Sequence, residues 1–257
     1  MNAKQQRAEK ANNDTEKRET LYHGIIADAI TESRLYDDSS AFDMASYGQA
    51  QNLIVKCPAE QALFQHAEGN TAILDFASFK YPGGGYITGA IAQEEALCHA
   101  SILYNILRGF DKIYAWNRDH TNKGLYSNRA LFVKDVIFFD DDRQKSCSVI
   151  VCAAPNYDAA TKYNRVSIEE NNKALEDRIR LIMQTAQDNH IDTLIAGAFG
   201  CGVFGQDAEQ VANLFKQMSK KTSIKKIVYA LPVFENNWSS YNNYHTFADV
   251  FGEGEVK

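Results

Sequence analysis

Proline is scarce in this sequence, four residues in 257, and the five cysteines, Cys57, Cys98, Cys147, Cys152 and Cys201, form no C-x-x-C pair and no even framework. A disulfide scaffold is therefore not indicated, and a reducing, cytoplasmic setting is expected. No run approaches the roughly 18 apolar residues of a membrane span, and the polar start, residues 1–19, has no apolar h-region of a secretory signal. Basic excess is also missing: the formal charge is −6 and the pI about 5.6, which argues against a phosphate-binding face and hence against direct DNA binding. No His, Cys or Asp cluster has ligand spacing, so neither a metal nor a cofactor is expected.

What is present is a large apolar fraction, 45%, enough for a sizeable core. One domain with an appendage is expected: a frayed tail over residues 1–13, an N-terminal helical extension over 14–50, and a catalytic unit over 51–257. Leu21, Ile25, Ile26 and Ala29 follow a helical period, with Asp14 or Thr15 as N-cap, and 37–48 reads as a polar loop. Strands predicted at 52–56, 71–76, 130–139, 148–154, 193–196 and 226–231 mostly alternate with helices at 59–66, 96–110, 167–189 and 208–220. This α/β pattern predicts a mostly parallel or mixed sheet covered on both faces. The aromatic stretch 110–128 is too long for a simple connection and reads as a loop over the site.

The stretch from Tyr81 to Glu95 organises the rest. Gly83, Gly84 and Gly85 lack Cβ atoms, so they form a floor on which a ligand lies against backbone. The loop then delivers Gln93, Glu94 and Glu95 into the first turn of a helix, where free N–H groups favour negative charge. The two glutamates are about 100° apart on that helix, so one of them is expected to face a given cleft.

A second glycine loop follows the strand at 193–196. Gly200-Cys201-Gly202-Val203-Phe204-Gly205 is formally a G-x-G-x-x-G, but it lies late in the chain and lacks the acidic partner of a dinucleotide site. What it offers is an anion cradle suited to a diphosphate. Phe234, after a strand, and Phe199 or Phe204, in the loop, offer flat faces for a base or sugar.

Leu74 to Gly85, followed after seven residues by Gln93-Glu94-Glu95, together with Leu125 to Phe132, Ala153 to Asn156 and Gly197 to Gly205, resembles the GGG…QEE signature of poly(ADP-ribose) glycohydrolases of the shorter microbial type. The resemblance covers about residues 15–235. It implies a macrodomain-like mixed sheet between helices, with ADP-ribose or poly(ADP-ribose) on modified proteins as partner, and the protein is expected to act as a monomer. By that analogy Gly83 to Gly85 and Gln93 to Glu95 hold the terminal ribose, and Gly200, Cys201, Gly202, Val203 and Phe204 wrap the diphosphate. Phe234 carries the adenine, Glu95 is catalytic and Glu94 supports it. A binding module without catalysis and a hydrolase of mono-ADP-ribosyl proteins use the same pocket, although a module has no need of Gln93-Glu94-Glu95. The chain departs from the family in two places. Asp75 stands where members commonly have Asn, and Cys57-Pro58 stands where an acidic residue reads the adenine, with Glu60 as the nearest substitute.

Cleaving a ribose–ribose bond needs a proton for the leaving oxygen and a carboxylate near the developing charge. The expectation is that Glu95 supplies both. Burial or the neighbouring Glu94 must then keep its proton in place against the helix N-terminus.

Overall fold

Alternate residues of the strand Thr71–Phe76 feed two separate cores. Ala72 and Leu74 pack into one apolar cluster and Ile73 into the other, so this strand requires helices on both faces. The computed structural model describes residues 1–41 and 48–252. Half of the expected loop 37–48, residues 42–47, therefore lies outside the described residues. Within them, the strands are β1 (Arg34–Asp37), β2 (Gln51–Val55), β3 (Thr71–Phe76), β4 (Arg129–Asp140), β5 (Arg143–Cys152), β6 (Thr193–Ala196) and β7 (Lys226–Ala230). They form one sheet in the order β1-β4-β5-β3-β6-β7-β2. The pairs β1–β4 and β4–β5 are antiparallel; β5–β3, β3–β6, β6–β7 and β7–β2 are parallel.

The helices are α1 (Ala3–Glu32), α2 (Ala59–His66), α3 (Gln93–His99), α4 (Leu103–Leu107), α5 (Asp111–Asp119), α6 (Tyr157–Asn164), α7 (Ile168–Asp188), α8 (Ala208–Ser219) and α9 (Trp238–Phe251). One face of the sheet packs on α7, α8 and α9 through Ile179, Ile182, Phe215 and Phe247. The other packs on α1, α2, α3 and α4 through Ile26, Leu63, Leu97 and Leu103. No helix of the described residues is long and apolar enough to cross a membrane.

β1, α6 and α9 are not among the expected elements, and three expected stretches differ from their reading. The first thirteen residues do not fray: α1 begins at Ala3, where the Asn2 side chain accepts from the Gln5 N–H and the Gln5 side chain accepts from the Asn2 N–H, both at 2.9 Å. This reciprocal cap replaces the expected start at Asp14 or Thr15. Of the four apolar positions read as its docking stripe, Ile26 and Ala29 are buried, but Leu21 and Ile25 are exposed.

The helix expected over 96–110 is interrupted. The Ser101 hydroxyl donates to the Leu97 carbonyl at 2.7 Å, while the Phe139 N–H takes the Ala100 carbonyl at 2.8 Å and the Ile137 carbonyl takes the Ile102 N–H at 3.1 Å. Pairing with β4 thus competes with the helical ladder and divides it into α3 and α4. Arg18 caps the break, donating to the carbonyls of Cys98, His99 and Ser101 at 2.8, 2.6 and 2.7 Å.

The stretch 110–128 is not a loop but contains α5, and it buttresses the glycine loop. The Asn117 side chain donates to the Phe79 carbonyl at 2.9 Å and Arg118 to the Lys80 carbonyl at 3.1 Å. Arg178, 1% exposed, holds the end of this stretch from the other face. It donates to the Ala153 carbonyl, to Asn128 Oδ1 at 3.1 Å, and to the carbonyls of Leu125 and Tyr126 at 3.4 and 3.5 Å. Replacing Arg178 with Met leaves those buried acceptors without a donor; the expected loss is about 3 kcal/mol of stability, read as a lowered urea midpoint.

Candidate functional site

The five strands of the parallel part of the sheet, β2, β3, β5, β6 and β7, end at the same edge, where α/β proteins hold ligands. Because β3 and β6 are adjacent, the loops that leave them, 77–92 and 197–207, stand side by side. Rings tie the two together: Phe76 meets Phe199 edge-on at 5.7 Å, and Phe79 stacks on Tyr126 at 4.5 Å, which in turn meets Phe204 at 6.0 Å.

In the first loop, Gly83 and Gly84 have φ of +65° and +56°, a region open to glycine at little cost. A Cβ on Gly84 would lie 2.6 Å from Glu95 Oε1 and 2.9 Å from Glu94 Oε2. Both glutamates therefore converge on this glycine, where the helical projection allowed for one. Glu95 Oε1 accepts from the Gly85 N–H at 2.8 Å and Glu94 Oε2 from the Ser78 N–H at 2.7 Å. Gly83 serves packing instead, since a Cβ there would lie 2.6 Å from the Tyr104 ring. The Gln93 side chain accepts from the Phe76 N–H at 2.8 Å and donates to the Leu74 carbonyl at 2.9 Å, fixing the start of α3 to the end of β3.

Behind the pair lies Asp75. It shares a face of β3 with Ile73 by strand alternation, is 0% exposed, and neither of its oxygens has a hydrogen-bond partner among the described residues; the same holds for Glu94 Oε1 and Glu95 Oε2. Burial, and then the charge of Glu95, push the Asp75 carboxyl well above the usual carboxylate range. Burial, and then the charge of Asp75, do the same for Glu94, against the opposing Ser78 N–H. Asp75 and Glu94 thus both favour their protonated forms more than a free carboxyl does.

The second loop is only partly open. Cys201 is buried, with its thiol pushed up by that burial, and Phe204 is half-buried. Gly202 faces open space, and Val203 is 84% exposed. Gly200 is packed against Ala154 and Gln206. A buried amide pair missed in the sequence pins the loop: Gln206 and Asn171 exchange hydrogen bonds at 2.9 and 3.0 Å, and Gln206 also donates to the Pro155 carbonyl at 2.7 Å. Their separation of 35 residues left no local signal. Phe199 is fully buried core, whereas Phe234 is 57% exposed beyond β7, at the same edge as both loops.

The sequence profile of a family, microbial-type PARG, catalytic domain, matches residues 5–141, more than half of the chain. The chain belongs to that family. Its structure is similar to that of the poly(ADP-ribose) glycohydrolase of Thermomonospora curvata, with a TM-score of 0.82, 25% identity, and coverage of 96% of this chain and 100% of that one. The Deinococcus radiodurans poly(ADP-ribose) glycohydrolase, solved in complex with ADP-ribose, aligns with a TM-score of 0.77 at 26% identity over 88% of this chain and 96% of that one. No curated protein sequence matches. This microbial-type glycohydrolase is thus a glycosidase whose fold spans the full length of its structural relatives.

Two outcomes test the geometry. Asp75→Asn removes an acid whose folded form favours the proton. A carboxyl raised in the folded state loses stability as pH rises from its unfolded value through its folded one. The variant should therefore melt about 3 °C or more above wild type at pH 8, with the gain shrinking toward pH 5 in thermal scans. Gly84→Ala should displace both carboxylates and reduce turnover at least about a hundredfold, measured as ADP-ribose released from polymer.

Proposed function

We propose that this glycohydrolase cleaves the ribose–ribose bond with Glu95 as general acid and then general base. The observation that carries the assignment is that Glu95, and not Glu94, lines an open groove, while one of its carboxyl oxygens is fixed by the Gly85 N–H and the other has no partner among the described residues. One oxygen is thereby oriented and the other left for chemistry. The bond passes through an oxocarbenium-like state. Glu95 gives its proton to the departing 2′-oxygen, and the resulting carboxylate, beside the developing positive charge, activates the water that completes hydrolysis. Glu94, held at Ser78 and raised by burial, supports the step by limiting the charge that the cluster carries.

The remainder of the pocket follows from the loops. Gly84 and Gly85 form the floor for the terminal ribose, and the open side of the second loop at Gly202 and Val203 lies along the diphosphate. Adenine stacks on the exposed ring of Phe234, a contact of about 1–3 kcal/mol by the usual measure of base–aromatic stacking. The mixed sheet with its ligand edge at the parallel strand ends supports reading the fold as a macrodomain, and five unpaired thiols suit a reducing, cytoplasmic setting.

Glu95→Gln keeps the shape of the side chain and removes its acid–base function. Release of ADP-ribose from automodified polymer should fall about a thousandfold or more, while ADP-ribose affinity by calorimetry stays within a few-fold. Substantial residual turnover on polymer would rule Glu95 out, and turnover confined to mono-modified protein would reassign the substrate.

A further inference from the structure

A groove of about 390 Å³ opens against Glu95, lined among others by Arg7, Glu60, Ile91, Ala96 and His99. Nothing in the acid–base mechanism uses these other residues. Two of their polar atoms, Glu60 Oε2 and His99 Nε2, are buried and have no hydrogen-bond partner among the described residues. Buried polar atoms are satisfied in nearly all native structures, so this pair marks a place where a ligand supplies the missing bonds. The His99 ring is fixed edge-on against Tyr86 at 4.7 Å.

Burial first, then Lys10, hold the His99 imidazole below its ordinary range; Asp14 opposes them, and Arg18 and Arg7 add smaller pushes in the same direction as Lys10. Arg7 is oriented at the groove by donating its Nε–H to the Gly89 carbonyl at 3.0 Å. One lining cation, Arg7, beside the His99 imidazole and a Glu60 carboxyl pushed up by burial, suits a ligand that combines hydroxyls with phosphate.

Position identifies which one. An acid that protonates the departing oxygen must have the leaving group against it, and this groove meets Glu95 itself. We propose that the groove binds the leaving side of the scissile bond: the ribose hydroxyls of the next ADP-ribose unit meet Glu60 and His99, and its diphosphate faces Arg7. The assignment rests on the glycohydrolase reading and deepens it. A single ADP-ribose released from the chain end fills the terminal pocket alone, whereas a polymer end fills both. The groove thereby favours polymer over a lone ADP-ribose on a protein side chain.

The test compares Arg7→Gln, His99→Gln and Lys10→Gln, the last of which leaves the Arg7–Gly89 hydrogen bond intact. KM for poly(ADP-ribose) is measured at about 50 and 200 mM salt, and the Kd of free ADP-ribose is measured by calorimetry. Arg7→Gln and His99→Gln should each raise polymer KM about fivefold and Lys10→Gln less, with ADP-ribose Kd held within about twofold. The two charge-removing variants should also flatten the salt dependence of KM. An unchanged polymer KM overturns the subsite, and so does an ADP-ribose Kd that weakens in step with KM. A wild-type protein that leaves polymer uncut overturns the glycohydrolase reading instead.

Discussion

Three carboxyl groups, Asp75, Glu94 and Glu95, occupy one buried volume beneath a glycine loop, and the surrounding structure is arranged around tolerating them. Each ionised carboxylate in such a place carries a desolvation cost that only hydrogen bonds or a retained proton offset. The loop supplies two backbone N–H groups, from Ser78 and Gly85, one to each glutamate. Asp75 receives none, so its proton is the natural reserve of the cluster.

This arrangement needs the loop held to within a fraction of an ångström, and the chain does so from several directions. Gln93 ties the start of α3 to the end of β3, α5 reaches under Phe79 and Lys80 through Asn117 and Arg118, and Arg178 fixes the neighbouring segment from the opposite face. The far end of the loop rests on α1. A Cβ on Gly89, at φ +77°, would lie 2.2 Å from the Lys4 carbonyl, so helix and loop are in direct backbone contact. Among the described residues no charged partner satisfies Arg178; backbone carbonyls and one amide oxygen do, which makes it a strut of the loops and not a free cation.

Strand alternation and glycine placement made the sheet, the two loops and the glutamate pair legible in the sequence, because these signals are local. The errors arose where distant contacts decide. A helix continuous through 96–110 is consistent with its apolar spacing, but β4 captures the backbone at Ala100 and Ile102. The polar start looked too hydrophilic to order, yet its cap is a short-range signal, Asn2 and Gln5, that composition obscured. The final helix, α9, carries exposed Trp238 and Tyr241 and lacks a clean apolar stripe. Gln93 is named through the family resemblance alone, and its amide hydrogen bonds to the backbone of Phe76 and Leu74 in β3 carry no local signal.

Glu94 and Glu95 both reach the loop although they are about 100° apart on an ideal helix. They stand in the first turn of a helix only seven residues long, with Ala92 as a cap that makes no side-chain hydrogen bond, so the loop wraps over the helix end instead of approaching one face. Gly84 then lies between two carboxylates, one reaching back to Ser78 and the other to Gly85. A longer helix, or a side chain at position 84, would separate the glutamates into one facing the ligand and one facing core. With glycine there, both carboxyls stay against the loop, and the charge of the buried Asp75 adds to the burial that raises Glu94.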